Sequence, residues 1–144
     1  MKTLKSLKLS TVIENSNIDA TLIRAIVRWH GGWDEFKEIS SDISKYGANT
    51  GISFIYYTDS VKFFRNHAPA IKSWLKSLSE EYYYDHDSVG SMMDKWDLVS
   101  QYTIEEINQA LYTGKGDAVD QVFDVACKAV VEEIARAVVD SMEE

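Results

Sequence analysis

A chain of 144 residues, 45% hydrophobic and 26% charged, has the length and composition of one ordinary folded domain, and it can bury a core without a metal or disulfide staple. One proline and seven glycines argue against a loop-rich β fold and low-complexity linkers, and the single cysteine, Cys127, excludes an intrachain disulfide and a four-cysteine zinc site. The net charge of −8 is unevenly spread: residues 1–72 hold ten Lys/Arg and seven Asp/Glu, whereas residues 73–144 hold five and sixteen.

An acidic second half repels nucleic acid and favours basic partners, or simply keeps the chain in solution. A lone cysteine inside an apolar helical pattern reads as a buried, inert thiol in a reducing compartment. No apolar run approaches the roughly 18 residues that a bilayer span needs. The opening MKTLKSLKLS carries three lysines without a continuous apolar stretch. It fails as a secretory signal and reads as a frayed or packed first segment, residues 1–10.

Helix signals then dominate in chain order. Ser16 or Asn17 is placed to cap a helix in which Ile18, Leu22, Ile26 and Trp29 recur at helical spacing, widened by Ile23 and Val27. Gly31-Gly32 ends it, and Arg24 and Arg28 lie four apart on one of its faces. A second helix is predicted over residues 34–45, with Phe36, Ile39 and Ile43 as its inner stripe. The turn-rich YGANTGIS leads into Ile52-Ser53-Phe54-Ile55-Tyr56-Tyr57, a short extended segment near residues 52–57. A lone strand has nothing to pair with, so a linker is favoured over a sheet.

Thr58 or Asp59 is placed to cap the next helix, which carries Val61, Phe63 and Phe64. Pro69 restarts helix after a break near His67, and Ile71, Trp74, Leu75, Leu78 and Tyr82 keep the spacing. Tyr82 to Ser88 closes that helix and opens one with Val89, Met92, Met93 and Trp96. Thr103 to Glu106 has capping-box form. Gly114-Lys115-Gly116 is a tight break, after which Asp117 opens the longest helix, to about Ser141, with a broad face of Val122, Val125, Ala126, Ala129, Val130, Ile134, Ala137 and Val138. The predicted fold is one mainly α domain, 1–144, of six or seven helices with a long C-terminal helix.

No constellation carries a catalytic or metal signature. Adjacent residues in Tyr84-Asp85-His86-Asp87 rarely converge on one ion without ligands from elsewhere, so a capping turn is preferred. His30 and His67 sit at helix ends, where positive charge suits the helix dipole. Gly114-Lys115-Gly116-Asp117 lacks the spacing of a phosphate-binding loop. Helix, glycine turn and helix around Gly31-Gly32 is a weak helix-turn-helix echo, with Arg24 and Arg28 as its candidate nucleic-acid contacts. The helix that should read bases begins Asp34-Glu35, which argues against it. Three consecutive tyrosines on a helix cannot all face inward, since neighbours point about 100° apart. Tyr82, Tyr83 and Tyr84, with Asp85, Asp87, Asp94 and Asp97, therefore form the candidate interaction surface.

Gly31-Gly32, the turn glycines Gly47 and Gly51, the segment Phe54 to Tyr57 and the acidic helix Glu132 to Arg136 together resemble a family of small phage and prophage proteins, a domain of unknown function. The likeness covers residues 18–140, with a one-residue departure near Ser53, where the family carries an extra glycine. The resemblance implies no activity and no cofactor. It implies a mobile-element origin, the cytoplasm of a bacterial host as the setting, and accessory proteins that bind a host machine. Together these favour a non-catalytic binder of a host macromolecule, with anti-CRISPR or anti-restriction action as one form. The alternatives are a small enzyme or ligand binder with its site among the central aromatics, and a DNA-binding regulator using Arg24 and Arg28. Nucleic acid and membrane are disfavoured as partners, and a homodimer is compatible with the aromatic and alanine content.

Overall fold

The structure is a computed structural model that describes residues 5–48, 56–77 and 102–142. Seven helices and no strand lie among the described residues: α1 (Leu9–Glu14), α2 (Ala20–Trp29), α3 (Trp33–Tyr46), α4 (Tyr57–Asn66), α5 (Ala68–Ser77), α6 (Ile104–Thr113) and α7 (Val119–Met142). The mainly α expectation holds, including the long last helix. The extended segment proposed near residues 52–57 lies outside the described residues up to Ile55, and Tyr57 is already helical. The helix proposed around Val89 to Trp96 also lies outside them.

The chain divides by its contacts into two units, residues 1–55 with 130–144 and residues 56–129. In the first unit, α2 starts on Asp19, whose carboxylate accepts from the Thr21 and Leu22 amides at 2.8 and 3.3 Å. Ser16 instead accepts from the Ile18 amide in the preceding turn, so neither Ser16 nor Asn17 is the cap. A carboxylate wins because it satisfies two of the orphan amides and also suits the positive helix end. Leu22, Ile23, Ile26 and Val27 are buried on one side of α2, which contacts α3.

Gly31 and Gly32 have φ of 94° and 105°, the left-handed region that glycine enters cheaply, and they turn the chain into α3. The stripe of α3 is Phe36, Ser40 and Ile43, with Ile39 only half-buried. Ser40 takes that inner position because its hydroxyl donates to the Phe36 carbonyl at 2.6 Å and so leaves no lone polar group. Ahead of α1, Leu7 is buried and its carbonyl accepts from the Trp33 indole at 3.2 Å.

In the second unit, α4 follows Tyr56 without a side-chain cap, contrary to the expected Thr58 or Asp59. His67 ends α4, and Pro69 sits in the first turn of α5, where a missing N–H costs nothing. Phe64, Ile71 and Trp74 are buried from these two helices. The α6 capping box forms as expected: Thr103 Oγ1 accepts from the Glu106 amide at 3.1 Å and Glu106 accepts from the Thr103 amide at 3.0 Å. Gly114 closes α6 with φ 68°. Phe123 of α7 stacks on Phe64 with centroids 4.1 Å apart, and Arg65 lies over the same Phe123 ring at 5.1 Å while pairing with Asp120 at 3.0 Å.

Candidate functional site

Of the residues expected to carry function, Tyr82, Tyr83, Tyr84, Asp85, Asp87, Asp94 and Asp97 lie outside the described residues. Arg24 and Arg28 are exposed one turn apart on α2, and neither has an ion-pair partner among the described residues. The helix after the glycine turn opens with exposed Asp34 and Glu35, and Asp34 pairs with Lys37 at 3.4 Å. Carboxylates at that end would meet DNA phosphates with like charge.

The densest polar chemistry lies on α7, inside the second unit. Asp124 and Lys128 stand one turn apart, with Lys128 Nζ 3.0 Å from Asp124 Oδ1 and 3.1 Å from Oδ2. Carboxylate before ammonium at this spacing is the orientation that helices favour. Ser60, on the second turn of α4, donates its hydroxyl to Asp124 Oδ1. Ser60, Asp124 and Lys128 are 0%, 7% and 4% exposed, so the three close on one another and away from water.

The arrangement balances charge rather than activating a nucleophile. The Ser60 proton is held by a carboxylate whose own charge Lys128 answers, and all three side chains are buried. Cys127, between the pair in sequence, is fully buried. Burial raises its pKa strongly and the Asp124 carboxylate adds to that, with Lys128 opposing, so the group stays a thiol. The apolar pattern of the helix does not flag this cluster. A legible signal was present nonetheless: Asp124, Lys128 and Glu132 recur every four residues, with alternating sign, in an otherwise apolar stretch.

In the first unit, buried Glu132 accepts from the Ala48 amide at 2.9 Å and so fixes the chain just after α3. His30 donates from Nδ1 to the Ile26 carbonyl at 2.8 Å and sets its ring edge-on against Phe36, with centroids 5.2 Å apart. Its role is structural, but not through a positive charge: burial lowers its pKa, and the Ile26 carbonyl opposes this only in part. The neutral ring is therefore favoured. In the second unit His67 donates from Nδ1 to the Phe63 carbonyl at 3.1 Å and stacks on the Phe63 ring at 4.2 Å.

Among the described residues no group of three or more His, Cys, Asp or Glu side chains converges as metal ligands would. None of the described helices is long and apolar enough to cross a membrane. No curated protein and no solved structure matches the chain. A family pattern does match, over residues 12–144, and the chain accordingly belongs to the family of the Domain of unknown function (DUF7222).

Proposed function

We propose that this chain is a non-catalytic accessory protein of a phage or prophage that binds a macromolecule of its bacterial host through an acidic surface in its second half. The observation that carries the proposal is one of charge. Residues 80–124 hold eleven Asp/Glu against two Lys. Of the five acidic residues described within that span, Glu105, Glu106, Asp117 and Asp120 are exposed, and only Asp124 is buried. Acidic side chains left in water offer a field to a basic partner, which steers association and sets specificity. A host surface that normally holds nucleic acid, as in CRISPR or restriction complexes, has the matching sign.

The test is capture of partners from nuclease-treated host lysate by the tagged chain, followed by binding to the purified partner. The expected result is one stoichiometric protein whose binding weakens with salt, since exposed charges are screened beyond about 8 Å at physiological ionic strength. Binding should be lost when Asp85, Asp87, Glu105 and Asp117 are changed to Lys. Glu106 is left intact because it caps α6. Undiminished binding by the charge-reversed chain would overturn the acidic surface. A clean elution without a partner would shift the assignment to a small ligand held among the central aromatics.

A further inference from the structure

We draw no further inference here: the strongest candidate, the surface patch of α2 on which Arg24 and Arg28 stand exposed one turn apart without an ion-pair partner among the described residues, consists of two side chains of like charge, and nothing in the structure shows what covers it.

Discussion

Helices α2 and α7 bury their side chains in opposite ways. On α2, Leu22, Ile23, Ile26 and Val27 face inward while Thr21, Arg24 and Arg28 face water, so polarity tracks position around the helix. On α7, Val122 to Glu132 are all buried, charged residues included. Water decides which side of α2 faces in. Within that stretch of α7 water makes no such choice, and Asp124, Lys128 and Glu132 are held by partners, among them Ser60 for Asp124, Asp124 for Lys128, and the Ala48 amide for Glu132. The difference shows that the same residue types carry different costs on the two helices. A charge on α2 is solvated beside an apolar stripe, whereas a charge within residues 122–132 of α7 must be answered inside the protein.

That contrast is open to direct attack, and the largest effect is expected on α7. Changing Lys128 to Met removes the cation that balances a buried carboxylate and should cost about 3–5 kcal/mol in urea unfolding. A loss within experimental error would mean that Asp124 is answered by other groups. On α2 the comparable weight rests on the apolar stripe. Ile26→Ala, at a fully buried position, should cost about 2–5 kcal/mol by the same measurement. The Asp19 cap is smaller: Asp19→Ala should lose about 1 kcal/mol, and Asp19→Asn, which keeps the acceptor, should lose less.

His30 gives the buried side of α2 a dependence on pH. Burial lowers its pKa in the folded chain below the ordinary 6.5, so the unfolded chain takes up the proton first on acidification. The stability that neutral His30 contributes is therefore complete above pH 6.5 and is lost as the pH falls through that value toward the folded pKa. The urea midpoint should fall as a sample at neutral pH is acidified, and the fall should be shallower for His30→Gln. Equal slopes would remove the assignment. The smallest effect belongs to the arginines: Arg24→Ala and Arg28→Ala should each leave stability within about 0.5 kcal/mol. If the pair also leaves salt-dependent binding to random duplex DNA unchanged, the nucleic-acid reading of α2 goes with it.

Several elements were legible because their signals are local. The Thr103 to Glu106 capping box, the glycine closures after α2 and α6, and the restart at Pro69 each depend on a few neighbouring residues whose backbone preferences do not need the rest of the fold. Cap positions were harder, because Ser16, Asn17 and Asp19 are all competent and the choice falls to whichever carboxylate or hydroxyl meets two free amides. Ser40 was harder still: a serine in the inner row of α3 is permitted only because it turns its hydroxyl back to the Phe36 carbonyl, a local bond that periodicity does not announce.

The helical class, the uneven charge, the long last helix and the burial of Cys127 could be read without a structure, because composition, period and capping chemistry act over a few residues at a time. The packing of the folded chain settled the rest: Asp124 and Lys128 are buried, Ser60 of α4 meets Asp124, Glu132 holds the amide of Ala48, and burial lowers the His30 pKa. Those outcomes depend on residues as many as 84 positions apart in the chain. The cost of burying Asp124 and Glu132 is set by partners that arrive from far along the chain, Ser60 and the Ala48 amide, and no short window of sequence contains both members of either contact.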